Sequence, residues 1–163
     1  ERVGFVHEHT MADALAEEYI DGRELYVGVL GNDRLQTLPV WELLFTKSDI
    51  PLIATRKVKW DRNYQEKLGV QTDLAQDLGV NVERQIGRIC KKVYKALDLS
   101  GYARMDLRMR ADGRVYVLEA NANPNLSFGE DFAESAEKAK LSYEDLLSKI
   151  IALGMRYRAP WKI

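Results

Sequence analysis

The stretch VYVLEANANPNLS, residues 115–127, decides the architecture that we expect for this chain. Its first half carries the β-branched and aromatic residues of a strand, and the strand runs into Glu119 and Asn121 before Pro124 breaks it. Alternate residues of a strand point to the same face, so these two side chains present their oxygen atoms together. The stretch therefore predicts a pair of hard oxygen ligands where the strand ends.

The residues before this stretch predict its partner strand. Tyr102–Met109 has strand character and reaches Val115 through the turn ADG at 111–113, which is typical of a hairpin. Arg104 and Asp106 share one face of that strand. If the register superimposes the two faces, carboxylate, amide and guanidinium groups converge, and such a set suits Mg²⁺ with the phosphates of a substrate. The alternative is an ordinary cross-strand ion pair on a solvated sheet face.

Farther from this hairpin, hydrophobic periodicity predicts both strands and helices. The predicted elements are a first hairpin over 23–44, helices over 81–97 and 131–140, and a last helix after Ser142. Residues 45–76 show little periodicity and much charge, which predicts a long flexible loop. Strand pairs mixed with helices indicate an α+β fold, with a mostly antiparallel sheet and packed helices.

Composition limits the class of protein. The chain has 163 residues, enough for one domain, and its 24 Lys and Arg residues against 25 Asp and Glu residues give a net charge of −1. This balance gives no reason to expect nucleic acid or an anionic membrane as a partner. The single Cys90 excludes an internal disulfide framework and is expected in the core, and no apolar run is long enough to span a bilayer. We expect a cytoplasmic protein.

Three segments resemble the ATP-grasp superfamily, and in particular the carboxylate–amine ligases related to D-alanine–D-alanine ligase. MDLRM (105–109) followed by VYVLEANANP is similar to the metal-binding hairpin of that superfamily. LAEEYIDGRELYVGVLGN (15–32) resembles its nucleotide-binding stretch, and ATRKVKWD (54–61) resembles the flexible loop that closes over the triphosphate. The three segments occur in the family's order, so together they are more specific than any one of them.

The resemblance implies a nucleotide-binding role for each matching residue. Glu17 would accept a hydrogen bond from the adenine amino group, and the backbone of Glu18 and Ile20 would bind the edge of the ring. Glu24 matches the carboxylate that binds the ribose hydroxyls. Lys59 matches the loop lysine that reaches the phosphates. The implied cofactor on this side of the site is ATP.

The resemblance also implies the groups that act on the phosphates. Arg104 would neutralise the transferring phosphate, Asp106 would bind one Mg²⁺ ion, Asn121 the other, and Glu119 both, with Mn²⁺ as a substitute metal. Lys57 would face the same way as the loop lysine in an extended loop, so it remains the alternative phosphate ligand. These placements agree with the chemistry, since phosphoryl transfer depends on positioning and charge neutralisation.

The function implied is formation of an amide or peptide bond from a small-molecule carboxylate and an amine, through an acyl phosphate. A non-catalytic lobe that binds nucleotide or docks on a partner is the alternative. The loop at 122–127, ANPNLS, departs from the family's Thr-Ser-Pro-Gly type of loop, so D-alanine is not assumed as a substrate.

The resemblance covers only part of an ATP-grasp enzyme. Residues 1–163 match its C-terminal lobe, and residues 1–14 would be the end of the preceding lobe, with 1–9 as its last strand. The N-terminal and middle lobes of the same protein are therefore expected partners, since they would complete the nucleotide site. A homodimer is left open.

Overall fold

The computed structural model describes residues 2–47 and 61–158. Its elements in chain order are α1 (Arg2–Thr10), β1 (Arg23–Leu30), β2 (Gln36–Thr37), β3 (Trp41–Phe45), α2 (Arg62–Leu68), β4 (Val70–Leu74), α3 (Val80–Ala96), β5 (Tyr102–Met109), β6 (Val115–Asn121), α4 (Asp131–Lys138) and α5 (Tyr143–Arg156). The strands form one antiparallel sheet in the order β4-β3-β1-β5-β6, with β2 paired to the end of β1. This arrangement confirms the predicted α+β fold. None of the helices described could cross a membrane.

Helix α3 covers one face of the sheet, as its periodicity predicts. Ile86, Cys90 and Tyr94 recur every fourth residue and are fully buried, so they form a single stripe along the helix. The stripe packs on alternate residues of the two central strands, including Val27 and Met105. Cys90 is a core residue, as predicted, and burial raises the pKa of its thiol to about 12.

The opposite face is covered only in part, which leaves room for a site. Helices α4 and α5 pack over the end of β1 through a cluster that includes Leu30, Phe132 and Leu146. A third cluster, built around Tyr26 and Trp41, covers the face toward β4. Between these two clusters the face carries polar side chains of β5 and β6.

Gly28 determines how closely α4 approaches this face. A Cβ atom there would lie 2.7 Å from Cδ1 of Leu38 and 2.9 Å from Cε2 of Phe132. We expect Gly28→Ala to lower the free energy of unfolding by about 1–3 kcal/mol, because the core must move to accept the methyl group. Gly154→Ala in α5 is the control, since its Cβ would meet no atom within 4 Å. Urea unfolding measures both, and equal stability of the Gly28 variant and the wild type would contradict the packing described.

Part of the predicted loop over 45–76 is regular structure, so that prediction is wrong for its second half. Helix α2 and strand β4 occupy most of 61–74, while 48–60 lies outside the described residues. Asp61 caps the helix by accepting from the N–H of Tyr64 at 3.1 Å, and Gly69 ends it with φ of 61°. A helix of seven residues shows too few turns for its period to be read from the sequence.

The predicted strand over 1–9 is also wrong, because residues 2–10 form helix α1. Its ring contacts are those of helical neighbours: Phe5 stacks on His9 at 4.0 Å between ring centroids, and the Arg2 guanidinium lies 5.0 Å from the Phe5 ring. The helix buries none of its described residues. The assignment of 1–14 to a preceding lobe stays a prediction.

Candidate functional site

The register of β5 and β6 brings the predicted phosphate and metal residues onto one face. Asp106 lies opposite Glu119, and Arg104 lies opposite Asn121. An irregularity between Asp106 and Leu107 shifts the register of the remaining pairs. The two strand faces therefore coincide at the end of the hairpin where the sequence places its polar residues.

The Arg104 guanidinium is held from several sides. It donates from Nε to Oδ1 of Asp106 at 2.7 Å and from Nη2 to Oδ2 at 2.8 Å. It also lies 4.6 Å from the ring centroid of Tyr26, and its Nη1 is 4.0 Å from a carboxylate oxygen of Asp131. Burial alone would lower the pKa of Arg104, but the hydrogen bonds and charge of Asp106 outweigh it and raise that pKa. The arginine is a fixed, partly buried cation.

Asp106 and Glu119 differ sharply in exposure. Asp106 is 3% exposed, whereas Glu119 is exposed on the outer strand β6. The ordinary alternative, a solvated cross-strand ion pair, does not describe Arg104 and Asp106, because the two residues lie on the same strand, with Asp106 buried and Arg104 partly buried. A partly buried charge pair beside an exposed carboxylate is a candidate functional site.

A cleft of about 1050 Å³ opens over this face. Arg104, Glu119 and Asn121 line it on the β5–β6 side, and Tyr26 lines it from β1. Strand β4 and the segment at 123–131, which leads into α4, form much of the remaining wall, together with Leu43, Gln65 and Tyr102. A volume of this size accommodates a nucleotide-sized ligand.

The asparagine-rich segment that departs from the family pattern is ordered by its own side chains. Asn121 Oδ1 accepts from the N–H of Asn123 at 2.9 Å, and Asn123 Oδ1 accepts from the Tyr102 hydroxyl at 2.9 Å. Asn125 accepts from both the N–H and the hydroxyl of Ser127. The asparagines thus hold the shape of a cleft wall, and the same contacts orient the Asn121 amide.

The predicted ribose carboxylate, Glu24, is 5% exposed and has two partners. Its Oε1 accepts from the Tyr26 hydroxyl at 2.9 Å, and its Oε2 accepts from Nη2 of Arg108 at 2.9 Å. Nη1 of the same arginine donates to the carbonyl oxygen of Ile20 at 3.0 Å. Arg108 therefore joins the predicted adenine-binding segment to the predicted ribose carboxylate, a role that our sequence reasoning missed.

The predicted nucleotide residues that the structure describes, Glu24 included, do not line the cleft. Glu17 and Glu18 are exposed in the irregular segment before β1, where Glu18 pairs with Arg110 at 2.7 Å. Lys57 and Lys59 lie outside the described residues, so their roles stay predictions. The period of two along β1 and β5 could have pointed to the missed residues, since Tyr26 follows Glu24, and Arg108 follows Asp106, at that spacing.

The donor set fits a magnesium ion that also binds phosphate. In the part of the chain that the structure describes, no group of three or more His, Cys, Asp or Glu residues is gathered as in an all-protein metal site. Asp106 and Glu119 instead supply two carboxylates from paired strands, and Asn121 adds an amide oxygen. Mg²⁺ is commonly held by one or two carboxylates, with water and substrate phosphates completing its shell.

Comparison with known proteins relates most of this chain to D-alanine–D-alanine ligases and a similar uncharacterised protein. A family model described as D-ala D-ala ligase C-terminus matches residues 5–152. The uncharacterised protein y4sG of Sinorhizobium fredii is 31% identical over 144 residues, which cover 88% of this chain and 41% of that protein. A D-alanine–D-alanine ligase of Lactobacillus acidophilus is 33% identical over 141 residues, covering 86% of this chain and 37% of the enzyme.

A solved structure of a D-alanine–D-alanine ligase has a similar fold. The structure of D-alanine–D-alanine ligase from Bacillus anthracis in complex with ATP matches 95% of this chain and 46% of that one, with a TM-score of 0.72 and 22% identity. The chain spans less than half the length of these relatives.

Proposed function

Because the chain belongs to the family of D-alanine–D-alanine ligase C-terminal domains, we propose that it is the lobe of an ATP-dependent carboxylate–amine ligase that acts on the phosphates. The observation that carries this proposal is the convergence of Arg104, Asp106, Glu119 and Asn121 on one face beside a cleft. The full-length enzyme would phosphorylate a carboxylate with ATP, and an amine would then displace phosphate to form the C–N bond. ADP and phosphate leave.

Each residue of the hairpin has a defined part in this proposal. Arg104 neutralises charge on the transferring phosphoryl group, and Asp106 holds the guanidinium in place until the phosphates compete for it. Asp106, Glu119 and Asn121 would hold two Mg²⁺ ions. Bound Mg²⁺ neutralises the phosphate oxygens and makes the leaving group a better one.

The nucleotide lies toward β1 in this proposal. Glu17 and the backbone of Glu18 and Ile20 bind adenine, and Glu24 binds the ribose. Arg108 supports this arrangement, because its hydrogen bond to the Ile20 carbonyl fixes the adenine segment against β1. Lys59, or Lys57 in its place, would close over the phosphates. The N-terminal and middle lobes of the full-length protein would complete the site.

The ordered asparagine segment bears on the identity of the substrates. Its side chains line the cleft where a small-molecule acid or amine would reach Arg104. A substrate meets Asn123, Asn125 and Asp131 there, and this set of groups differs from the loop expected for D-alanine. We therefore propose carboxylate–amine ligation as the reaction class, and a screen of acids and amines against the full-length protein would identify the substrates.

Hydroxylamine trapping tests this function in the full-length protein. We expect ADP release to need both an acid and an amine, and hydroxylamine to replace the amine and yield a hydroxamate, the product of an acyl phosphate. Glu119→Gln should lower both products by about a hundredfold, because it removes a charge that the phosphates and metal require. Glu130→Gln, at an exposed cleft position outside the proposed ligand set, is the matched control and should keep most of the activity. ATP binding with no ADP release under any condition would favour the non-catalytic alternative.

A further inference from the structure

Tyr26 contacts both halves of the proposed site through different parts of its side chain. Its hydroxyl donates to Oε1 of Glu24 at 2.9 Å, on the nucleotide side. Its ring lies beneath the Arg104 guanidinium, 4.6 Å from centroid to Cζ, on the phosphoryl side. Tyr26 is therefore a contact shared by the predicted ribose carboxylate and the predicted phosphate cation.

Strand geometry explains this double contact. Glu24 and Tyr26 are two residues apart on β1, so their side chains leave the same face, and Tyr26 lies opposite Asp106 on the neighbouring strand β5. Arg104, two residues before Asp106, then reaches back over the ring. Tyr26 also packs in a cluster with Trp41 and Leu43 of β3.

The surroundings fix both the position and the protonation of the phenol. Tyr26 is 5% exposed, so its ring has little freedom to change rotamer. Burial and then the negative charge of Glu24 raise the pKa of Tyr26, and the phenol therefore stays protonated as a donor at neutral pH. Glu24 receives one permanent donor from Tyr26 and a second from Arg108.

We propose that Tyr26 is a positioning residue that fixes the ribose-binding carboxylate Glu24 and the phosphoryl-binding guanidinium Arg104 relative to each other. This inference deepens the proposed function and rests on it. The two ends of a bound nucleotide are held by groups on different strands, and Tyr26 is a rigid spacer between them. Small misplacement of a group in phosphoryl transfer costs much of the rate, so such a spacer affects turnover without touching the reacting atoms.

Two variants separate the two contacts in the full-length protein. Tyr26→Phe removes only the hydroxyl, so we expect KM for ATP to rise about fivefold to tenfold, the usual effect of losing one hydrogen bond, with kcat nearly unchanged. Tyr26→Leu also removes the aromatic face under Arg104, so kcat should fall in addition, by about tenfold to a hundredfold. Steady-state ADP release at saturating acid and amine measures both constants.

Tyr94→Phe is the matched control. Tyr94 is also a buried tyrosine, and its hydroxyl donates to the Gly31 carbonyl at 2.8 Å on the α3 face of the sheet. The Tyr94→Phe variant should lose stability, as Tyr26→Phe does, but its KM for ATP and its kcat should equal those of the wild type. If both Tyr26 variants behave like this control, with altered Tm and unaltered constants, the positioning role is refuted. A wild-type protein that releases no ADP with any acid and amine would refute the proposed function itself, and the assignment to Tyr26 falls with it.

Discussion

Replacing Arg104 with lysine in the full-length protein is expected to slow ATP-dependent phosphate release by about a hundredfold, the usual effect of losing one preorganised donor to a developing negative charge. Lysine keeps the positive charge but lacks the planar fork that binds both oxygens of Asp106. It also loses the extended contact with the Tyr26 ring. A discontinuous assay of ADP and phosphate at saturating substrates measures the change.

Arg23→Lys is the control for this substitution. Arg23 also binds a carboxylate with two donors, Nε at 2.8 Å from Oε1 of Glu42 and Nη2 at 2.5 Å from Oε2, on the same sheet but away from the cleft. Its replacement should alter stability slightly and leave phosphate release near the wild-type rate. Equal activity of the Arg104 and Arg23 variants would show that Arg104 has only a structural role.

The second large effect is expected on stability. Arg108→Met should lower the free energy of unfolding by about 3–5 kcal/mol, because it leaves the charge of Glu24 buried without its guanidinium partner. Both side chains are nearly inaccessible, at 4% and 6% exposure, so solvent cannot replace the lost contact. The Ile20 carbonyl loses its donor in the same variant. Urea unfolding of the 163-residue chain measures the difference.

Two further variants serve as controls for the Arg108→Met measurement. Arg110→Met breaks an ion pair with Glu18, whose carboxylate is 74% exposed, so its cost should stay below about 1 kcal/mol. Adding Glu24→Gln to Arg108→Met should recover part of the loss, since the buried charge is then gone. A cost for Arg108→Met as small as that for Arg110→Met would contradict the buried pair.

The β5–β6 hairpin could be predicted from the sequence because its signals are local. A period of two residues on each strand and an Asp-Gly turn fix which side chains share a face, and the structure pairs Asp106 with Glu119 accordingly. Helix α3 could be predicted for a similar reason, since a helix of 17 residues repeats its apolar period over several turns. These elements place most of the phosphoryl side of the site.

Short elements and long-range contacts could not be predicted in this way. Helix α2 has seven residues and β4 has five, so neither shows a period, and their charged side chains resemble those of a loop. The pairing of Glu24 with Arg108 depends on how β1 pairs with β5, a register set by residues about 80 positions apart. The period of two places Tyr26 and Arg108 on the same strand faces as Glu24 and Asp106, but the contact between β1 and β5 follows only from their pairing.

Paramagnetic broadening tests most directly whether the β5–β6 hairpin is the metal and nucleotide site that we propose. Amide NMR spectra of the chain would be recorded with ATP and a trace of Mn²⁺, which broadens signals near a bound ion even when binding is weak. We predict selective broadening at Asp106, Glu119 and Asn121 that disappears in Glu119→Gln. Uniform broadening, or selective broadening that survives in Glu119→Gln, would contradict the claim.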